Sequence, residues 1–237
     1  MYSNEIITSH NSEEKSKNVQ NMFNTIAGRY DMLNSLLSFH VDSRWRKAAI
    51  KAANIQPEHK VLDLACGTGE MILEIHRQAP QATVIGGDFS KNMLLIAKEK
   101  LPQNLFSAAD AQNLPFKDGS FNRITMAFGF RNVADKDKCL KELRRVLTDD
   151  GKAIILEFSE PNNKLFAALY KFYFDKILPF IGSVISGSKK AYKYLPESVH
   201  KFPKDDEYGK MILNAGFKGF TFTKKTFGVV TVAVIDK

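Results

Sequence analysis

Cysteine is scarce in this chain of 237 residues: Cys66 and Cys139 are the two present, at no metal-ligand spacing and with no disulfide framework. A fold knit by thiolate-bound metal or by disulfides is thereby excluded, and a reducing compartment is expected. Tryptophan occurs once, at Trp45. No Gly-Lys-Ser/Thr follows the glycine turn, which excludes the phosphate loop of nucleotide hydrolases. No repeat or low-complexity tract is present. The run MYSNEIITSHNSEEKSKN has neither a basic start nor an apolar core, so no secretory signal is expected and residues 1–17 read as a disordered polar tail. The longest nearly apolar stretch, residues 165–187, is broken by Lys171, Asp175, Lys176 and Pro179, which argues against a membrane span. Positive charge is in excess, 34 Lys and Arg against 26 Asp and Glu. Around residues 141–145 the bases alternate with Leu140, Leu143 and Leu147 at helical spacing, marking a solvated helix face and not a nucleic-acid patch.

What the chain does have is an ordinary apolar fraction, 44%, in a length that suits one α/β domain with decorations. Its most informative stretch is VLDLACGTGE, residues 61–70. Val61, Leu62, Leu64 and Ala65 predict a short buried strand running into Gly67-Thr68-Gly69, after which Ile72, Ile75 and Ala79 share one helical face. Strand, glycine turn and helix N-terminus make a cradle that a ligand can approach closely. The next strand, residues 82–87, ends in Asp88, whose carboxylate can accept both hydroxyls of a ribose. A nucleoside cofactor is the consequence. A dinucleotide turn would carry a third glycine where Ile72 stands. Asp63, inside the first strand, gives instead D-x-A-x-G-x-G, which resembles motif I of the class I S-adenosylmethionine-dependent methyltransferases. An acid there suits a cofactor that carries an ammonium and a sulfonium but no phosphate.

Along the rest of the chain, helices are predicted over 19–37 and 45–53, then over the stretch bearing Leu94, Ala97 and Leu101 with Ser90 as its cap. Strands follow at 104–108, ending by Asp110, and at 122–128, with a turn at Asp118-Gly119 between them. A helix over 135–147 leads to a continuous apolar strand at 152–158, as expected where both sheet faces are covered. A last amphipathic helix at 205–215 and strands at 220–224 and 229–235 complete the pattern. The expected fold class is α/β, a doubly wound, mostly parallel seven-stranded sheet with a C-terminal antiparallel hairpin. One domain spans 18–237, with a helical cap at 18–56 and an aromatic-rich lid or insertion at 161–203 that carries Phe166, Tyr170, Phe172, Tyr173, Phe174, Phe180, Tyr192 and Tyr194.

Two further stretches narrow the resemblance. RYDMLNSLLSFHVDSRWR (29–46) resembles the N-terminal signature of the ubiquinone/menaquinone biosynthesis C-methyltransferases, and FGFRNV (128–133) with RVLTDDGKAIILEFS (145–159) resembles that family's later signatures. The likeness runs from about Met22 to the C-terminus. Three departures stand out: Asp42 where the signature has histidine, Thr148-Asp149-Asp150-Gly151 for its K-P-G-G, and Ala127 where a serine often reaches the cofactor. The resemblance implies S-adenosylmethionine as cofactor, held by Thr68, Asp88, Asp110 and Ala111, with Tyr30, Asp63, Gly67, Gly69, Phe89 and Ala127 completing the pocket. Asp88 would take the ribose hydroxyls, Asp110 the adenine amino group, and the Gly67–Gly69 amides would face the methionine end.

The same resemblance implies a reduced quinone as acceptor. A ring carbon becomes nucleophilic once a neighbouring hydroxyl loses its proton, and a phenol with a pKa of about 10 needs a site that favours the anion. Arg131 and Asn132 are the expected catalytic pair; arginine stays charged and is a poor direct base, so it stabilises the phenolate or orients a water. His40 is a further candidate base. No metal is required. Trp45 reads as a packing anchor and Cys66 as a small filler. Expected partners are a polyprenyl quinol and a membrane surface met through 161–201, with a cytoplasmic location or the inner membrane face; a homodimer is compatible with the pattern, and nucleic acid is not expected. MAFGFRN contains neither the proline pair of base-amino methyltransferases nor a nucleophilic cysteine. A methyltransferase for another small molecule, such as a phenol or sterol, and a non-catalytic cofactor-binding or membrane-adaptor protein stay open as alternatives.

Overall fold

Strands apolar on both faces belong in the middle of a sheet, and the chain places them there. The computed structural model describes residues 12–161, 164–177 and 189–237. The helical cap comes first: α1 (Ser12–Ile26), a 3-10 turn (Ala27–Arg29), α2 (Tyr30–Leu37) and α3 (Asp42–Ala53). Next, β1 (Lys60–Leu64), α4 (Glu70–Gln78), β2 (Thr83–Asp88), α5 (Lys91–Lys100) and β3 (Leu105–Ala108) form one half of the sheet. The other half holds β4 (Phe121–Ala127), α6 (Lys136–Val146) and β5 (Leu147–Phe158). α7 (Lys164–Phe172), running into a π-turn (Tyr173–Ile177), and α8 (Lys189–His200) make the insertion. α9 (Asp205–Asn214), β6 (Gly219–Lys225) and β7 (Val230–Asp236) end the chain.

The seven strands lie in the order β3-β2-β1-β4-β5-β7-β6; β1 to β5 are parallel, and β7 is antiparallel to both β5 and β6. Leu62 and Leu64 point to one face, into a core shared with Leu140 and Leu143 of α6 and Ile212 of α9. Val61 points to the other, against Ala49 and Ile50 of α3 and Ile72 and Ile75 of α4. Alternate residues of one strand thus serve two cores. Strand order reverses between β1 and β4, and the crevice at their carboxyl ends is where such sheets bind ligands.

Three boundaries correct the expectations. The helix expected over 19–37 begins at Ser12 and is interrupted at Ala27–Arg29, so the polar tail expected over 1–17 is shortened. Glu13 and Glu14 fill the first turn, where the helix dipole favours acids, and Val19 anchors the helix against Tyr194. α3 starts at Asp42, three residues before Trp45, with that acid in its first turn. The turn at 148–151 lies within β5, whose register against β4 shifts between Phe121 and Arg123. In the insertion, Phe174 packs on Ile26 and Val199, which makes it core beneath the cap. Pro179 and Phe180, the side chains of Phe166 and Tyr192, and the first eleven positions lie outside the described residues. No described helix is long and apolar enough to cross a membrane.

Candidate active site

The chain leaves β1 through a left-handed residue, Ala65 (φ +53°), and turns at Gly67 (φ +55°) and Gly69 (φ +92°). Gly69 caps α4 in a left-handed conformation that favours glycine, and a Cβ there would stand 2.8 Å from Leu101 Cδ1, which would have to give way. Asp88, at the end of the neighbouring strand, ties this turn down. Its Oδ2 accepts from the Gly67 amide at 2.8 Å and its Oδ1 from the Ser90 amide at 2.7 Å. Burial pushes the Asp88 carboxyl up, against the pull of the Ser90, Gly67 and Phe89 amides. Each carboxylate oxygen keeps a second lone pair for a ligand.

Gly67, Asp88, Phe89, Asp110, Ala111 and Ala127 line one cavity, and Tyr30 and Asn132 complete its wall. The three expected residues that do not line it shape it from behind. Gly69 packs against α5. Thr68 is buried and its hydroxyl donates to Asp31 of α2, so its side chain fastens the cap. Asp63 is fully buried in β1; its Oδ1 accepts from Thr125 Oγ1 at 2.6 Å, while Oδ2 has no hydrogen-bond partner among the described residues. Burial pushes its carboxyl up to about 7. Cys66 is buried too, burial pushes its thiol up, and it is no nucleophile.

Beside this cavity, Phe128 leaves β4 in the left-handed region (φ +56°), as Ala65 does beside it. That conformation aims its carbonyl back at the 3-10 turn Phe130–Asn132, where it accepts from Arg131 Nη1 and, at 3.2 Å, from Asn132 Nδ2. Arg131 is buried and ion-paired to Glu157 of β5, Nη1 to Oε1 at 2.8 Å, while its own amide donates to Glu157 Oε2 at 3.1 Å. Arg131 Nε donates to Ser198 Oγ at 3.3 Å, and the guanidinium lies 5.4 Å from the centre of the Phe158 ring. Asn132 Oδ1 accepts from the Tyr194 hydroxyl at 3.1 Å; burial pushes that hydroxyl's pKa up to about 12, against the opposing pull of Arg131.

Arg131 lines a second cavity, walled by rings that include Trp45, Phe158, Tyr170 and Phe174. Phe23, Tyr30 and Phe128 belong to both cavities and form their common wall. Tyr170 lines this second cavity, and its Oη is buried without a hydrogen-bond partner among the described residues. Asp42 and Arg46 pair at its edge. Burial pushes the Asp42 carboxyl up, but Arg46 and the Ser38 hydroxyl outweigh it and hold the group below the usual range. His40 stands apart from both cavities: it is exposed on the turn before α3, bonded to Ser35 Oγ at 2.7 Å, and lines a neighbouring pocket with Asp42 and Arg46. A left-handed backbone at Phe39 and His40 turns the chain there. Sequence reasoning did not single out Glu157, Tyr170, Tyr194 or Ser198 for the site; a lone acid closing the apolar run AIILEF was the signal for the first.

The first cavity suits S-adenosylmethionine. Its charged lining residues are Asp88 and Asp110, with no lysine or arginine among them, and the orphaned Asp63 Oδ2 lies buried behind it. Such a site favours a cationic nucleoside and disfavours phosphates. The ubiE/COQ5 methyltransferase family matches residues 10–237. The ubiquinone/menaquinone biosynthesis C-methyltransferase UbiE of Geotalea uraniireducens is 46% identical over 231 residues, covering 94% of this chain and 98% of that protein. The demethylmenaquinone methyltransferase of Thermus thermophilus is 46% identical over 220 residues, 91% of this chain and all of that protein. Among solved structures, a SAM-dependent methyltransferase from Thermotoga maritima, described as a possible histamine N-methyltransferase, shares the fold with a TM-score of 0.67 at 18% identity, over 92% of this chain and 99% of its own. The chain belongs to the ubiE/COQ5 methyltransferase family and is an S-adenosylmethionine-dependent methyltransferase.

Proposed function

We propose that this methyltransferase methylates a ring carbon of a reduced polyprenyl quinol, demethylmenaquinol foremost, in quinone biosynthesis. The observation that carries the reading is the meeting of the two cavities at one turn: Asn132 lines the acidic cavity and Arg131 the aromatic one. S-Adenosylmethionine, when bound, supplies a methyl group on a positively charged sulfur. Asp88 and Asp110 hold the nucleoside, and the ring of Tyr30 and the backbone at Phe128 separate it from the acceptor. A quinol ring fits between the aromatic walls of the second cavity, and its apolar tail suits the same surface. Arg131 Nη1 and Nε are committed to protein partners, and Nη2 makes no hydrogen bond among the described residues. Nη2 is the donor for the ring oxygen, and the fixed guanidinium stabilises the phenolate that drives charge onto the neighbouring carbon. The free Tyr170 hydroxyl serves the other ring oxygen.

The relatives named for menaquinone and for ubiquinone synthesis leave the ring to experiment. Labelled S-adenosylmethionine is offered with short-tailed demethylmenaquinol and with the short-tailed ubiquinone precursor, each reduced and oxidised. Product from reduced demethylmenaquinol alone supports the reading. Product from an oxidised quinone would overturn the phenolate mechanism, and none from either quinol would move the acceptor to another small molecule. We further propose that residues 161–201 meet the membrane in which such a quinol resides.

A further inference from the structure

We propose that Arg46 holds the carboxylate at the amino-acid end of S-adenosylmethionine. This needs only the cofactor and holds whichever acceptor is methylated. That end of the cofactor is a zwitterion, with an ammonium and a carboxylate on one carbon. An acid serves the ammonium, and the carboxylate calls for a cationic donor. The cofactor cavity offers acids: Asp88 and Asp110 line it, and Asp63 lies buried behind it with one oxygen unpartnered among the described residues. No lysine or arginine lines that cavity, so the cation has to come from beyond its wall.

Arg46 stands there. It is buried on α3, and its guanidinium carbon lies 5.8 Å from the centre of the ring of Phe128, which belongs to the wall between the two cavities. It lines the aromatic cavity and also the polar pocket that reaches Asp31 and Glu70. Glu70 is the first residue of α4 and follows Gly69, so Arg46 and the end of the glycine turn meet at one pocket. The electrostatics agree. Burial pushes the Asp63 carboxyl up to about 7, with Thr125 and Arg46 pulling the other way, so the guanidinium stands within reach of that acid. Burial also pushes the Tyr30 hydroxyl up, and Arg131, Arg46 and Asp88 all act on it. Tyr30 thus lies among the nucleoside acid and both guanidinium groups.

The guanidinium has the right donors to spare. Nη1 is committed to Asp42, whose other oxygen accepts from Ser38 Oγ at 2.9 Å. Nε and Nη2 make no hydrogen bond among the described residues, and together they form the planar edge that a carboxylate accepts bidentately. Two other cations are held elsewhere: Lys100 bridges Asp31 and Glu70, and Arg131 is anchored on Glu157 and Ser198. Asp42, where the family signature has histidine, therefore aims Arg46 in this chain. It also completes the charge balance. With Asp42, Asp63 and Arg46 ionised, the protein side carries one net negative charge, and the cofactor's ammonium, sulfonium and carboxylate carry one net positive.

Binding is the readout, so the test is independent of the acceptor. S-Adenosylhomocysteine and its decarboxylated analogue, which differ in the carboxylate alone, are titrated calorimetrically into the wild-type protein and its variants. The wild type is expected to bind S-adenosylhomocysteine about 10- to 100-fold more tightly than the analogue, the worth of a hydrogen bond between charged groups. Equal affinities would overturn the proposal without any variant. Arg46→Met is expected to remove most of that difference, weakening S-adenosylhomocysteine while the analogue stays within about threefold. Equal losses on both ligands would reduce Arg46 to a structural role and overturn the proposal. Arg46→Lys keeps the charge without the planar edge and is expected to recover part of the affinity for S-adenosylhomocysteine only. Removing Arg46 alone strands Asp42 as a buried charge. Where that variant binds neither ligand, the comparison is made with Asp42→Asn and Arg46→Met combined. A raised KM for the acceptor with both affinities unchanged would assign Arg46 to the acceptor and likewise overturn the proposal.

Discussion

Asp63 is a carboxyl that the folded chain, without its cofactor, leaves half satisfied. One oxygen accepts from Thr125 and the other has no partner among the described residues, and burial pushes the group from its ordinary 3.8 up to about 7. Because the folded pKa lies above the unfolded one, the folded state keeps a proton that the unfolded chain gives up between about pH 4 and pH 7. Stability without cofactor therefore falls as pH rises through that window, by about 4 kcal/mol in all. Asp63→Asn keeps the acceptor for Thr125 and removes the ionisation. It is expected to raise the Tm of the cofactor-free protein at pH 8 and to flatten its dependence on pH, as thermal unfolding across pH 5–8 would show. The cationic cofactor favours the ionised form, so wild-type affinity for S-adenosylmethionine rises with pH through 7, and the asparagine variant binds about 10-fold more weakly without that trend. At His40 the contrary outcome is expected. Exposed and bonded to Ser35, it should tolerate alanine with kcat within about twofold, and a large loss in kcat would support a role as base.

At the scale of elements, the cap is fastened over the cofactor cavity by polar contacts. Gln20 donates to the Phe89 carbonyl, Asn24 Oδ1 accepts from Ser90 Oγ at 2.6 Å, and Asp31 receives both Thr68 and Lys100. The Asn24 side chain carries two of these links, since its Oδ1 also accepts from the Asn92 amide at 3.4 Å. Asn24→Ala is expected to destabilise α1 by about 1 kcal/mol, the net worth of such bonds. The visible consequence is faster amide exchange in α1 with protection of β1 and β4 unchanged, together with weaker cofactor binding; equal loosening of the sheet would mean the cap is integral to the core. This element also marks how far sequence can be read. Val61 through Gly69 announced strand, turn and helix because apolar spacing and glycine punctuation are local properties. The bond from the Thr68 hydroxyl to Asp31 was not legible, because nothing in the sequence places that acid, on another element, beside it. Glu157, Tyr170, Tyr194 and Ser198 stayed hidden for the same reason: they converge on Arg131 and its cavity from β5, α7 and α8 only when the insertion folds back on the sheet. The exposed place of His40 was equally illegible, since a left-handed backbone at Phe39 and His40 sets it.

At the scale of the molecule, a soluble cofactor and a lipid-tailed acceptor have to reach adjoining cavities that share Phe23, Tyr30 and Phe128. A polyprenyl quinol stays in its bilayer, and no described helix can enter that bilayer as a span, so the proposed contact must be made by surface. The chain supplies the two terms such a contact uses. Its net charge is +8, and α7 presents Phe172, 58% exposed, beside the exposed Lys171, with Phe39, 73% exposed, against Tyr173 of the adjoining π-turn. Charge attracts a protein to anionic headgroups and is screened over about 10 Å at 0.1 M salt, whereas inserted rings are not screened. Flotation with anionic vesicles is therefore expected to recover most of the protein at low salt, and a smaller fraction at 0.5 M salt that the rings retain. Phe172→Ser should remove most of that salt-resistant fraction while leaving low-salt binding, and should raise KM for a long-tailed quinol more than for a short-tailed one. Absence of lipid association even without added salt would mean that the quinol is delivered by another carrier, and that the exposed rings of α7 serve something other than a membrane.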